Sequence, residues 1–221
     1  GYMDIGSCGR QVVRNAQKTK ARGYGTSLKH AMVANPEKAG EYRHILERDI
    51  EVSTTENDLI GYRFFNYSDY GLYRTGSWSA GLKMSSVRTV GAEIINYENL
   101  LGRFLRNGSL FLYREGSEYE DIIPVWDWTR VPGTTCILSD SLFPGVIMSQ
   151  YYTNKHDFVG GLSGDQAGVS AIIVNDAGLY AKKSYFFTKQ AVLCMGGDIW
   201  CVRPFEITSS IEQNLQKGEH T

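Results

Sequence analysis

The stretch VSAIIVNDAGLYAKKSYFFT, Val169 to Thr188, decides the fold class. An apolar run, Val169 to Val174, meets the turn chemistry of Asp176-Ala-Gly178, and a second run follows from Leu179 to Thr188. Two short runs rich in β-branched and aromatic residues, punctuated by Asp and Gly, read as two strands joined by a turn. The same texture recurs outward from there. Tyr62 to Asn66, Gly71 to Tyr73, Ser77 to Lys83, Leu110 to Tyr113, Val146 to Tyr152, Val192 to Met195 and Trp200 to Ile207 are all short apolar or alternating runs. Asn107-Gly108 and Gly196-Gly197-Asp198 supply further turn signals. Asn107-Gly108, between LGRFLR and SLFLY, is the clearest hairpin signal in the chain. So many strands at short spacing, with no helices between them, imply a mainly β chain folded as a large antiparallel β-sandwich.

The amino-terminal part has another character. Ala16, Ala21, Leu28, Ala31, Met32 and Val33, then Tyr42, Ile45 and Leu46, recur at mixed three and four spacing, broken by Gly23, Gly25 and Asn35-Pro36. That periodicity predicts helices, the second starting after Asn35 with Pro36 as its first residue. The expected organisation is a short helical segment over residues 1–48 and a β-sandwich over 49–221.

Composition agrees with a β core. Fourteen Tyr, 9 Phe and 4 Trp accompany 24 Gly and only 5 Pro, which suits aromatic-rich strands and tight turns. The formal net charge is -1, so no overall charge draws the chain to an acidic or basic partner. Its distribution is uneven, however. No acid occurs between Asp4 and Glu37, whereas Arg10, Arg14, Lys18, Lys20, Arg22 and Lys29 all fall there. Spacing by four puts Arg10, Arg14, Lys18 and Arg22 along one face of a helix. Such a stripe is most often a solvated face; it also fits a groove for an anionic polymer, because arginine forks match carboxylates, sulfates and phosphates. Nucleic acid is disfavoured, since the β region has no basic surplus and no recognition motif.

Cys8, Cys136, Cys194 and Cys201 lack the paired short spacing of a zinc site. Cys194 and Cys201 would oppose each other if Gly197-Asp198 made a hairpin turn, but directly opposed positions suit a disulfide poorly, so free and mostly buried thiols are expected. There is no apolar run of about 18 residues to span a membrane. There is no basic-then-apolar leader either, and Gly1-Tyr2-Met3 reads as an internal start, so the chain is expected to be a piece of something longer. Nucleophile elbows, phosphate-binding glycine loops, zinc motifs and EF-hands do not occur, and His30, His44, His156 and His220 stand in no catalytic spacing.

Two segments mix polar and apolar residues in a way that needs explaining. GAEIINYENLLG, Gly91 to Gly102, sets Glu93, Asn96, Glu98 and Asn99 among large apolar side chains. In a strand neither face would be cleanly apolar, and on a helix Glu93 and Asn96 would be neighbours at i, i+3. A strand end with solvated polar groups accounts for this, and so does a cleft lining in which the carboxylate and amide bind something. VWDWTRVPGTTC, Val125 to Cys136, brackets Asp127 with two Trp before Arg130 and a Pro132-Gly133 turn. A structural corner is the simpler reading. Calcium ligation by Asp127 with turn carbonyls is the alternative, on thin grounds with a single acid.

Taken in order, GYMDIGSCGRQVVR, SAGLKMSSVRTVGAEIINYENLLG, NGSLFLYREGSEYEDIIPVWDWTRVPGTT and GLYAKKSYFF resemble the polysaccharide lyase family of chondroitin AC, hyaluronate and xanthan lyases. The resemblance implies a helical toroid followed by antiparallel β domains, the central one a galactose-mutarotase-like super-sandwich. This chain would then carry the end of the helical part and most of that sandwich. It also implies β-elimination at a uronic acid of an acidic, glycosaminoglycan-like polysaccharide, by an exported protein (secreted or periplasmic) that needs no cofactor. By the same resemblance Arg10 and Glu93 match catalytic positions, and Arg14 and Asn96 match substrate contacts. The family's catalytic Asn, His and Tyr lie upstream of the block matching GYMDIGSCGR, in the helical domain, so these residues alone are expected to be inactive. A non-catalytic carbohydrate-binding sandwich is the competing expectation.

Overall fold

The computed structural model describes residues 24–50, 60–91, 101–114, 118–119, 122–138 and 154–216. Helix α1 (Tyr24–Ala34), a 3-10 turn (Pro36–Lys38) and helix α2 (Ala39–Ile50) open this part of the chain. Asn35 closes α1 through its N–H to the Ala31 carbonyl, 2.9 Å, and Pro36 starts the following turn as its sequence position predicts. The two helices pack on each other, Leu46 lying against Gly25.

Ten strands follow. Strands β1 (Gly61–Phe65), β2 (Tyr70–Arg74), β3 (Ser79–Lys83) and β4 (Ser109–Tyr113) form an antiparallel meander in sequence order. Strands β6 (Val159–Leu162), β7 (Gly168–Asp176), β8 (Leu179–Phe187) and β9 (Val192–Cys201) form a second one. The short pair β5 (Thr135–Ile137) and β10 (Ile207–Ser209) completes the set.

Side-chain parity builds the sandwich. Alternate residues of β7 (Ser170, Ile172, Val174, Asp176) and of β8 (Leu179, Ala181, Lys183, Tyr185, Phe187) are buried on one face. Opposite them lie Tyr62, Tyr73, Ala80, Leu82, Met84 and Leu110 from the first meander, in one continuous core with Cys136 and Ile137 of β5. Each large apolar side chain removed from water there contributes about 1.5–3 kcal/mol. Tyr62 stacks on Phe187 with ring centroids 4.5 Å apart and shares a 2.5 Å hydrogen bond with Ser170. The edge of β1 is tied to the β6–β7 loop by reciprocal backbone bonds between Tyr62 and Gly164, 2.7 and 3.1 Å.

The Asp176–Leu179 turn is the one the opening stretch predicts. Ala177 and Gly178 both have positive φ, 53° and 90°, the pattern of the tight turn that matches strand twist. Gly178 is required twice over, since a Cβ there would also meet Val202.

Two turn expectations are corrected. Asn107-Gly108 does not join two strands: residues Gly102–Arg106 form a 3-10 helix, and β4 pairs with β3. Asn107 has φ -85, outside the left-handed region a type I′ turn needs, and its amide donates to the Thr135 carbonyl. The reason lies in Arg103 and Arg106, three residues apart, which a 3-10 helix brings onto one face. A strand would point them to opposite faces. Gly196-Gly197-Asp198 likewise makes no turn, because β9 runs through it as one strand. Lys182 faces Gly197 while Tyr180 faces Trp200, so Asp198 and Ile199 together oppose Ala181 in a β-bulge. Asp198, at φ 51, is thereby aimed at Lys182, 2.9 Å away.

Cys136, Cys194 and Cys201 are free thiols, but Cys136 alone of these three is buried. Cys194 and Cys201 cannot face each other, because they lie along one strand. Cys8 and the run Val146 to Tyr152 lie outside the described residues.

Candidate functional site

The four residues singled out for chemistry (Arg10, Arg14, Glu93 and Asn96) lie outside the described residues, as do Lys18, Lys20, Arg22, Glu98 and Asn99. The structure does describe the ground on either side of the Glu93 segment. The chain enters that segment at Gly91 and returns from it at Leu101.

On the entry side the loop after β3 is built around Asp69, a fully buried carboxylate in the β1–β2 connection. Its Oδ2 accepts from the Ser86 N–H (2.7 Å), the Ser86 hydroxyl (2.6 Å) and the Thr89 hydroxyl (2.6 Å). Its Oδ1 pairs with Arg88 Nη2 at 3.0 Å. Burial alone would raise the Asp69 pKa, but the bonds from Ser86 and Thr89 and the charge of Arg88 outweigh it, and the pKa falls below the ordinary carboxylate value. Asp69 itself sits at φ 47, a conformation that Asp tolerates better than most residues.

On the exit side the 3-10 helix is held by Asp176, at the inward end of β7. Arg106 Nη2 is 2.6 Å and Arg103 Nη2 2.9 Å from the same Asp176 oxygen, with Arg103 Nε 3.4 Å from the other. Burial again pushes this carboxyl up, and Arg106 and Arg103 more than reverse it, leaving the pKa lowered. Lys183, the next inward position after Ala181 on β8, donates to the carbonyls of Asn107 (3.1 Å) and Gly133. Its burial lowers the ammonium pKa to about 8. The neighbouring Cys136 thiol is pushed up to about 12 by burial.

Entry and exit touch. A Cβ on Gly91 would overlap the Arg106 side chain, so only glycine lets the incoming chain lie on that arginine.

The Trp corner is structural. Asp127 Oδ1 accepts from the Thr129 N–H (2.9 Å) and hydroxyl (2.6 Å), while Gln213 bridges the Asp127 N–H and the carbonyls of Asp127 and Arg130. Trp126 packs with Phe111, Tyr119 and Val131 over the far side of β4. Among the described residues no three His, Cys, Asp or Glu side chains converge as a metal site. His156 Nδ1 accepts the Phe158 N–H at 3.0 Å and so serves its own turn. An open groove of 350 Å³ on the outer face of the second meander, lined by Phe158, Ile173, Lys182, Ser184 and Met195 among others, is mostly apolar.

Sequence reasoning passed over Asp69, Asp176, Arg106 and Lys183. Strand parity held a signal for two of them. Counting inward from Leu179 by twos reaches Lys183, and counting from Ile172 reaches Asp176.

The family model for polysaccharide lyase family 8, super-sandwich domain, matches residues 60–221. The chain belongs to that family. Chondroitinase-AC of Pedobacter heparinus is 31% identical over 226 residues, covering 98% of this chain and 31% of that protein. A hyaluronate lyase of Thermasporomyces composti is 29% identical over 173 residues, covering 73% of this chain and 21% of its own length. Among solved structures, a chondroitinase AC lyase studied in oligosaccharide complexes superimposes with a TM-score of 0.72 at 28% identity, over 86% of this chain and 28% of that one. A Paenibacillus xanthan lyase, at 23% identity and TM-score 0.62, shares the fold. This chain thus spans about a third or less of the length of the lyases it matches.

Proposed function

We propose that this lyase-family chain supplies the β-sandwich side of the cleft in an enzyme that cleaves a uronic-acid-containing polysaccharide by β-elimination. The observation that carries the reading is the match to chondroitinase-AC along 98% of the chain. A Streptomyces coelicolor relative at 25% identity has been solved with chondroitin sulphate, which favours an acidic glycan as the polymer.

In this reading Arg10 and Glu93 belong to the catalytic group, and Arg14 and Asn96 contact sugar. Elimination requires neutralisation of the uronate carboxylate, so that the C5 proton becomes acidic, then its removal, then protonation of the leaving oxygen. Arginine is suited to the electrostatic part, since a fixed guanidinium stabilises negative charge as it develops. Glu93 holds the ion-pair network in register. The base and acid come from the helical domain of the parent protein, a Tyr and a His within hydrogen-bond reach of the sugar. The parent protein is exported, because its polymer is outside the cell.

Ultraviolet absorbance of unsaturated uronate, after incubation with chondroitin sulfate and hyaluronan, tests the proposal. Product is expected from a protein extended upstream through the helical domain, and none from residues 1–221 alone. Product from residues 1–221 alone would place the base within them and overturn the division of labour.

A further inference from the structure

We infer that Asp69 and Asp176 are positioning residues for the lyase reaction, one carboxylate from each meander, pinning the two ends of the segment that carries Glu93 and Asn96. The inference rests on the reading above that Glu93 and Asn96 belong to the site.

The geometry is specific to that task. Asp69 spends its carboxylate on the Ser86 N–H and on the side chains of Ser86, Arg88 and Thr89, in the loop that ends at Gly91. Glu93 stands two residues beyond Gly91 in the chain. Asp176 holds Arg103 and Arg106 on the 3-10 helix that begins at Gly102, immediately after the segment. Ser109 adds a 2.7 Å bond to the Leu105 carbonyl. Gly91 then rests on Arg106, which makes the two anchors one unit.

A fold that needed only to close this loop would not need two buried charges. Taking a carboxylate out of water is costly, and apolar packing of equal volume commonly gives equal or greater stability. What charged anchors add is direction: each fixes several donors at once, with little freedom to slide. Sub-ångström placement is worth much in catalysis, since a displacement of about 1 Å can cost on the order of 100-fold in rate.

The test uses the whole lyase that contains this chain, with kcat and KM for unsaturated product from hyaluronan or chondroitin sulfate and melting curves alongside. Glu93→Gln is expected to lower kcat sharply. Asp69→Asn, Asp176→Asn and Thr89→Val are expected to lower kcat by about tenfold to 100-fold with a smaller change in KM. Thr89→Ser, which restores the hydroxyl, returns kcat to the parent value. The double variant Asp69→Asn/Glu93→Gln is no slower than Glu93→Gln, because the anchor acts through Glu93. Asp165→Asn, in an exposed pair with Arg63, serves as the control with unchanged kcat.

A normal kcat for Glu93→Gln would remove the site reading and this inference with it. An impaired Glu93→Gln beside folded anchor variants of parental kcat would overturn the inference alone. Additive losses in the double variant would do the same. Should Asp69→Asn fail to fold, the contrast between Thr89→Val and Thr89→Ser decides, since both keep the buried carboxylate.

Discussion

The guanidinium of Arg106, on the 3-10 helix before β4, lies 2.6 Å from the Asp176 carboxylate at the end of β7, and both side chains are buried. This pair joins the two meanders across the sandwich. It also fits the 3-10 helix of residues 102–106, in which Arg103 and Arg106 lie on one face and reach the same acid.

Breaking the pair from one side should therefore be expensive. Arg106→Met takes away the shorter of the two ion pairs on Asp176, and Asp176→Asn takes away a carboxylate that two arginines share. Each is expected to cost about 3–5 kcal/mol in urea unfolding, the range for removing one partner of a buried pair. The two losses are expected to be far from additive in the double variant. Additive losses would mean that the residues act on stability separately.

Acid should loosen both anchors. Asp69 and Asp176 have folded pKa values below their unfolded ones, so their stabilisation is complete above the unfolded value of about 3.9 and is lost as pH falls through the folded values. Melting temperature measured from about pH 7 down to about pH 2 should drop on the acid side. Asp69→Asn should flatten that drop while lowering the plateau. An equally steep acid limb in Asp69→Asn would show that its carboxylate does not contribute.

How much of this was legible in the sequence depends on what each element needed. Most strands of the two meanders were readable because their patterns are local: β8 alternates buried and exposed residues along its length, and its turn with β7 needs only Gly178, whereas β6, with two glycines in four residues, carries no such pattern and was not read as a strand. The 3-10 helix at Gly102–Arg106 was not readable as such, because its conformation answers to Asp176, far along the chain. LGRFLR next to Asn107-Gly108 has a hairpin's local chemistry, and a tertiary ion pair overrides it. The bulge at Asp198 has the same origin, a local turn signal absorbed by the Lys182 pair across the strand. For the proposed site, the family blocks point to Glu93 and Asn96 but carry no sign of the Asp69 and Asp176 bonds on either side of that segment. Asp69 occupies an ordinary-looking turn, NYSD, where an aspartate draws no notice until its three partners, Ser86, Arg88 and Thr89, are seen.

On the alkaline side Lys183 and Cys136 should oppose each other. Lys183 has a folded pKa of about 8 against about 10.4 unfolded, so folding favours its neutral form and stability rises as pH climbs between those values. Cys136, at about 12 folded against about 8.5 unfolded, makes stability fall over an overlapping range. Burial raises the Cys194 thiol as well, so Cys136→Ala/Cys194→Ala is the variant expected to unmask a rise in melting temperature between about pH 8 and 10, and the same pair with Lys183→Met is expected to be flat there. A fall that persists in Cys136→Ala/Cys194→Ala would mean that Lys183 is not the group titrating.

Thiol reactivity gives a simpler readout of the same core. Cys136 is buried with its thiol pKa raised, whereas Cys194 is exposed and Cys201 half-buried. Because the thiolate is the reacting form, a charged alkylating reagent at neutral pH should modify Cys194 and Cys201 first and reach Cys136 only on unfolding. Peptide mapping by mass spectrometry distinguishes the three. Native labelling of Cys136 at the rate of Cys194 would contradict its place in the core.

The contact between Gly91 and Arg106 yields the last expectation. A methyl group on residue 91 would overlap the arginine side chain, and that side chain cannot retreat without lengthening its bond to Asp176. Gly91→Ala should thus destabilise by about 1–3 kcal/mol, as overpacking does, although alanine is otherwise the less costly residue to order. With the arginine already truncated the obstacle is gone. In an Arg106→Ala background, Gly91→Ala is expected to cost nothing further or to stabilise slightly, and the sign of that difference in urea unfolding tells whether the two ends of the Glu93 segment truly bear on each other.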